Sequence, residues 1–307
     1  MSDNPQQPLL DRRNFLMNVG GGFAGLALSQ LLSREAQAKT PFHHPPRVNR
    51  VIQLFMTGGA SPMDLFDYKP ELERLHGQML GPKEKPDGFT APAGALMKSP
   101  FAFKQHGESG RWVSEMFPEQ AKLVDEMAFL MAMTTKTNVH GPGTYMMNSG
   151  FLLPGFPCMG AWISHALGNI ADNLPSFVVL PDAKGLPYNQ KGCFSSGFLP
   201  AVHQGNREVD PSGLALLDTI NRLHASEHPG DSRLDARIAS YELAAKMQLS
   251  APEAFDVMRE PDYVRRAYGM EEKHTEDFGR RCLLATRLIE RGVRFVQVWS
   301  GPQGAVG

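Results

Sequence analysis

Two carboxylates follow closely on the apolar run at 51–56. Residues 57–67 read Thr-Gly-Gly-Ala-Ser-Pro-Met-Asp-Leu-Phe-Asp, which places Asp64 and Asp67 just beyond a Gly58-Gly59 turn. Hard divalent cations take carboxylate oxygens as ligands, and a bound cation acts as a Lewis acid toward an anionic ester. Asp64 reads either as a metal ligand or as the cap of the following turn. Asp67 reads first as a cap and only weakly as a ligand. The second concentration of reactive types is 134–150, Thr-Thr-Lys-Thr-Asn-Val-His-Gly-Pro-Gly-Thr-Tyr-Met-Met-Asn-Ser-Gly. This polar, Gly-rich junction leads into a helix N-terminus, where backbone N–H groups favour anions. His140 is a candidate base or ligand there. Thr144 is a candidate nucleophile, although no activating partner stands beside it in sequence and its hydroxyl equally suits an N-cap. Lys136 adds a cation that would neutralise an anion or simply be solvated.

Other reactive residues read as structural. His165 falls on an apolar helix face and is expected in the core, whereas His224, His228 and His274 lie in charged helical stretches and are expected to be exposed. Residues 190–198 contain no G-x-S-x-G elbow. Cys158, Cys193 and Cys282 are too few and too scattered for a zinc knuckle or a disulfide framework. One disulfide is allowed in an oxidising compartment, with at least one thiol left buried and free.

These residues need elements to position them. Short apolar runs bounded by turn residues predict strands at 48–56, 128–133, 176–180 and 294–299. Helices are predicted at 117–124, at 159–167 with a stop at Gly168, and at 275–291 with a Gly292 cap. The last carries Phe278, Cys282, Leu283, Leu288 and Ile289 as a core stripe. The whole of 212–291 reads as helical, with breaks at 229–230 and Pro252; 80–110 and 181–211 read as loop-rich. Strands separated by helices argue for an α/β domain with a largely parallel sheet and right-handed crossovers. Ligands of such sheets bind outside the strands' carboxyl ends, so a site belongs after Met56, Met133, Leu180 and Trp299.

The chain has 307 residues, a formal net charge of −1 and 42% hydrophobic residues. That composition argues against wholesale disorder and lacks the basic excess of a nucleic-acid binder. Its beginning reads as an address. Arg12 and Arg13 precede Asn-Phe-Leu, an apolar Gly/Ala-rich run extends from Val19 to Leu32, and Ala36-Gln37-Ala38 provides a cleavage site. The run is shorter than the roughly 20 residues of a membrane span, so no stable span is expected. The arginine pair resembles the twin-arginine signal, despite Asp11 and Met17 at positions where Ser or Thr and Lys are common. Residues 1–38 are thus expected to be a signal peptide cleaved after Ala38, directing folded export through the twin-arginine (Tat) machinery to the periplasm or beyond. Residues 39–49 form a Pro/His-rich leader whose His43-His44 pair is either solvated or metal-binding.

Several segments together resemble a known family: Leu54-Phe55-Met56-Thr57-Gly58-Gly59-Ala60-Ser61-Pro62-Met63-Asp64-Leu65-Phe66-Asp67-Tyr68-Lys69-Pro70 after the arginine signal, then Gly143-Thr144-Tyr145-Met146-Met147-Asn148-Ser149-Gly150, Met159-Gly160-Ala161-Trp162 and Leu174-Pro175-Ser176-Phe177-Val178-Val179-Leu180. They look like the exported bacterial domain-of-unknown-function family 1501, which is similar in fold to the alkaline-phosphatase and sulfatase superfamily. The resemblance implies an alkaline-phosphatase-like α/β fold, a mostly parallel sheet flanked by helices, with residues 50–307 as the N-terminal part of one domain. It implies that Asp64 is the first-strand metal carboxylate and that 140–150 occupies the place of the nucleophile loop. The cation would be Zn, Ca, Mg or Mn. Two departures matter. Cys158 in Phe-Pro-Cys-Met-Gly and Cys193 in Gly-Cys-Phe-Ser-Ser do not fit the sulfatase C/S-x-P-x-R motif. The family's later Trp-Asp-x-His, Glu-Phe-Gly-Arg and Asp-His segments are missing, which reads as truncation at the C-terminus.

The reading is therefore an exported protein derived from a metal-dependent hydrolase of sulfate or phosphate esters, inactive as this fragment. Its ligand would be a sulfated or phosphorylated small molecule or polysaccharide. The alternative is a non-catalytic exported binding or cell-surface protein with a degenerate site. A redox cofactor protein has no dinucleotide fingerprint, haem motif or iron–sulfur spacing to support it.

Overall fold

The computed structural model describes residues 47–79, 94–171, 174–182, 190–207 and 252–301. The signal residues Arg12, Arg13 and Ala38, most of the leader, and the helical stretch expected at 212–251 lie outside them. The strands in chain order are β1 (Val51–Met56), β2 (Phe103–His106), β3 (Arg111–Ser114), β4 (Phe177–Leu180), β5 (Asn206–Arg207) and β6 (Phe295–Ser300). The α-helices are α1 (Pro70–Arg74), α2 (Pro118–Ala121), α3 (His140–Ser149), α4 (Met159–Leu167), α5 (Pro252–Phe255), α6 (Asp262–Ala267) and α7 (Glu276–Glu290). The described residues of Met1–Thr57 and Val139–Gly307 form one compact unit, and those of Gly58–Asn138 form another.

The first unit is a mixed α/β layer built on a parallel sheet in the order β1-β6-β4-β5. β6 pairs with β1 from Val51↔Phe295 to Met56↔Ser300, and with β4 from Phe177↔Phe295 to Leu180↔Val298. β4 and β6 are therefore the inner strands. All of β4 and β6 up to Trp299 is buried, which explains why both read as continuous apolar runs rather than alternating ones. Alternate side chains go to opposite faces. Phe177, Val179, Phe295 and Trp299 pack with Cys158, Ala161 and Ile163 around α4. Val178, Leu180, Val296 and Val298 pack with Leu283, Leu284 and Leu288 of α7.

α7 follows its sequence stripe closely. Leu283 and Leu288 are buried, and Phe278, Cys282 and Ile289 pack at the margin of the same cluster. Glu276 and Asp277 in its first turn and Arg287 in its last complement the helix dipole. Arg287 is itself buried; it donates to the Ala254 and Glu253 carbonyls and pairs with Glu260, tying α7 to α5. α4 ends as expected at Gly168.

In the second unit β2 and β3 form an antiparallel hairpin, Phe103↔Ser114 to His106↔Arg111. The Asp125 carboxylate caps its turn, accepting the N–H groups of Glu108 at 2.8 Å and Ser109 at 2.9 Å. Val113, Ala121 and Val124 form a small core flanked by Phe66, Phe117 and Phe129. Two expectations fail here. Residues 128–133 are irregular rather than a strand, with Leu130, Met131 and Met133 exposed. The hairpin instead lies partly in the stretch read as loop, because its short strands are polar and carry little alternation. The helix expected at 117–124 is only α2, followed by a 3-10 turn at Val124–Glu126.

Candidate functional site

A parallel sheet sends every strand's carboxyl end to one edge. β1 runs there into Thr57, whose N–H donates to the Ser300 carbonyl at 2.7 Å. Gly58 and Gly59 follow at φ 82° and 78°, a left-handed pair that any Cβ would strain. β4 ends there at Pro181-Asp182, and β6 at Gly301. The Gly301 N–H donates to Asp182 Oδ2 at 3.2 Å. Arg281, reaching in from α7, holds Asp182 Oδ2 at 3.4 Å and Asp277 Oδ2 at 2.6 Å, and donates to the Trp299 carbonyl. Arg281 is 5% exposed and Asp182 13% at the side chain, so this ion pair is withdrawn from water. The sequence points to the exit of β4 but does not single out Asp182, because only the β4–β6 pairing and α7 make it a junction.

A ladder of amides underlies the α4 face. Gln297 on β6 is buried and donates through Nε2 to Gln53 Oε1 on β1 at 2.8 Å and to Asn148 Oδ1 on α3 at 2.6 Å. Asn148 Nδ2 in turn donates to the Thr144 carbonyl at 2.8 Å. Among the described residues, Gln297 Oε1 and Trp299 Nε1 are buried without a hydrogen-bond partner.

The residues proposed from sequence fall in different units. His140 and Thr144 are in the sheet unit. His140 is exposed and opens α3, with Val139 as the cap residue. Thr144 is not a cap: it lies inside the helix, 3% exposed, and its hydroxyl donates back to the His140 carbonyl at 2.7 Å. Asp64 and Asp67 are in the hairpin unit. Asp64 ends the 3-10 turn Pro62–Asp64, and the Ser61 and Ser99 hydroxyls that donate to its carboxylate hold it below the usual carboxylate range. Asp67 is paired with Lys69 Nζ at 2.7 Å.

Cys158, Cys193 and Cys282 form no disulfide with one another. Burial pushes Cys158 up to about 12, far from the thiolate that a nucleophile requires.

His165 departs from expectation. It is exposed, not in the core. Its Nδ1 lies 3.3 Å from Nε2 of His203, whose Nδ1 lies 3.1 Å from the Ser164 hydroxyl. Trp162 meets His165 edge-on at 6.3 Å. His203 titrates below the usual imidazole range, first because it is partly buried and second because of His165's charge. Sequence reasoning missed His203; its signal is weak, a lone histidine in the 3-10 turn Ala201–His203.

Among the described residues no group of three or more His, Cys, Asp or Glu converges as a metal site, and no helix is long and apolar enough to cross a membrane. No curated protein matches the chain, and no solved structure does. A family model does, over residues 48–213 and 206–302, which include the β1 exit, α3, α4, Asp182 and Arg281: the chain belongs to the family described as Protein of unknown function (DUF1501).

Proposed function

We propose that this is an exported protein, carried by the twin-arginine route, that descends from metal-dependent hydrolases of sulfate or phosphate esters and does not itself turn such esters over as this 307-residue chain. The export part rests on Arg12-Arg13 and the apolar run after them; the observation that supports the lack of turnover is the pairing of Asp182 with Arg281 at the carboxyl edge of the parallel sheet, the edge at which α/β proteins hold their ligands. The position suits a ligand-binding carboxylate. The pairing removes it from use, because a cation there would have to displace a buried guanidinium. The other carboxylates do not supply a substitute: Asp64 is held by two serine hydroxyls and Asp67 by Lys69. The residues described therefore do not fit a Zn, Ca, Mg or Mn centre of the superfamily kind, and no hydrolytic step is drawn through one.

The test is incubation with chromogenic phosphate and sulfate esters in the presence of Mg, Ca, Mn or Zn. No metal-dependent release above the buffer rate is expected. Turnover that disappears in Asp182→Asn would overturn the reading. The same closed ion pair is compatible with a second reading, an exported protein that binds a sulfated or phosphorylated polysaccharide without cleaving it. Saturable retention on such a polysaccharide, with no ester hydrolysis, favours that reading over the first.

A further inference from the structure

The histidine pair on α4 and the turn before β5 belongs to neither reading. We propose that His165 Nδ1 and His203 Nε2 together bind one divalent transition cation, of which Zn2+ is the probe of choice. The two nitrogens are 3.3 Å apart. Two imidazoles on one tetrahedral Zn2+, each at about 2.0–2.1 Å, hold their nitrogens about 3.3–3.4 Å apart. The rings meet at 79° with centroids 4.9 Å apart, so they are not stacked, and a modest turn of each ring aims both in-plane lone pairs at one point.

The Ser164 hydroxyl can accept from His203 Nδ1, and metal binding at Nε2 selects that tautomer. The hydroxyl lies 3.1 Å from His203 Nδ1, and Ser164 is a buried residue of α4. With Nδ1–H donating to Ser164, the lone pair of His203 is on Nε2, the atom facing His165. A hydrogen-bond partner on the far ring nitrogen is the usual support of a ligating histidine. In that tautomer and without metal, the one proton between the two rings is on His165 Nδ1. The cation takes its place and His165 becomes the Nε2–H tautomer, which its exposure to solvent permits. Imidazole nitrogen suits Zn, Cu and Ni rather than Mg or Ca. With two protein ligands, the remaining positions belong to water or to an incoming group.

The place is also separate from the carboxyl edge. α4 ends at Gly168, whose carbonyl accepts Arg294 Nε at 2.8 Å just before β6 begins. His203 closes the turn that precedes β5. Both histidines therefore stand at the amino end of the sheet, opposite Asp182.

Zn2+ titration of the full chain against a chromogenic chelator, repeated on His165→Gln/His203→Gln, tests this. The double variant is expected to lose one equivalent relative to wild type; any binding by His43-His44 is common to both and cancels. His165→Gln alone, a change at an exposed side chain, should weaken that equivalent more than tenfold and decides the case if the His203 variant does not fold. Ser164→Ala should weaken it about 10–100-fold. Cu2+ at the pair should quench emission of Trp162, 6.3 Å from His165. Excess Zn2+ should restore it, and Trp162→Phe should remove the signal. Equal stoichiometry and affinity in wild type and double variant, or no Zn2+ binding by wild type, overturns the site. Ester turnover has no part in this readout, so it stands or falls apart from the hydrolase ancestry.

Discussion

Arg281 joins three segments with one guanidinium: α7 through Asp277, the β4 exit through Asp182, and the β6 exit through the Trp299 carbonyl. Replacing it takes a buried guanidinium away from Asp182, whose side chain is 13% exposed. Breaking a buried pair from one side typically costs about 3–5 kcal/mol. Arg281→Ala should therefore lower the urea midpoint strongly, and Asp277→Asn, at the half-exposed end, should lower it less. Asp125 makes a prediction about pH. Backbone N–H groups of Ser109 and then Glu108 are the main causes that hold its carboxyl below the usual value of 3.8. A depressed carboxylate adds stability above its unfolded pKa and loses it as pH falls through the folded one. Asp125→Ala should melt below wild type at neutral pH, and the gap should close only on acidification below 3.8. His165 shows where residue-level reading stops. Its place in an apolar helix reads as core, yet its environment depends on His203, which is distant in sequence and comes near only when the turn before β5 packs on α4.

Helix–helix contact decides at the scale of elements. Gly279 is in the first turns of α7, and a Cβ there would stand 1.9 Å from the Tyr268 carbonyl oxygen at the end of α6. Alanine normally favours a helix over glycine by about 1 kcal/mol, but backbone cannot rotate aside as a side chain does. Overpacking of this kind costs about 1–3 kcal/mol or more, so Gly279→Ala should lower stability in chemical denaturation. A gain would mean that α6 and α7 are not in this contact. The elements that were legible in the sequence share one property: their pattern is settled locally. α7 has a wide apolar stripe, α4 a glycine stop, and β4 and β6 apolar runs that burial on both faces demands. The run at 128–133 is as apolar but has no β-branched residue and, among the described residues, no sheet partner. β2 and β3 have a partner but too few apolar residues to announce it.

At the scale of the whole chain, the α/β class and the parallel sheet were readable because helices separate the strands. Strand order was not, since β6 inserts between β1 and β4 by pairing that no local pattern encodes. The candidate site inherits the same limit: Asp182 meets Gly301 only because β4 and β6 are neighbours. Gln297 on β6 bonds Gln53 on β1 across 244 positions of sequence. Contacts of such separation form slowly, and an unpaired β1 or β4 is an aggregation hazard while the chain waits. A route that carries the chain already folded avoids presenting these strands unpaired on the far side of a membrane. In the proposed reading, Arg12 and Arg13 before the apolar run are the feature that such a route would read. Replacing both with lysine keeps the charge, the apolar run and the Ala36-Gln37-Ala38 cut. On the twin-arginine proposal, the lysine variant should stay inside the cell with residues 1–38 intact, while wild type is recovered outside with an N-terminus near Lys39. Equal export and cleavage of both would assign residues 1–38 to a route that threads unfolded chains, and β1 would then wait for β6 after translocation.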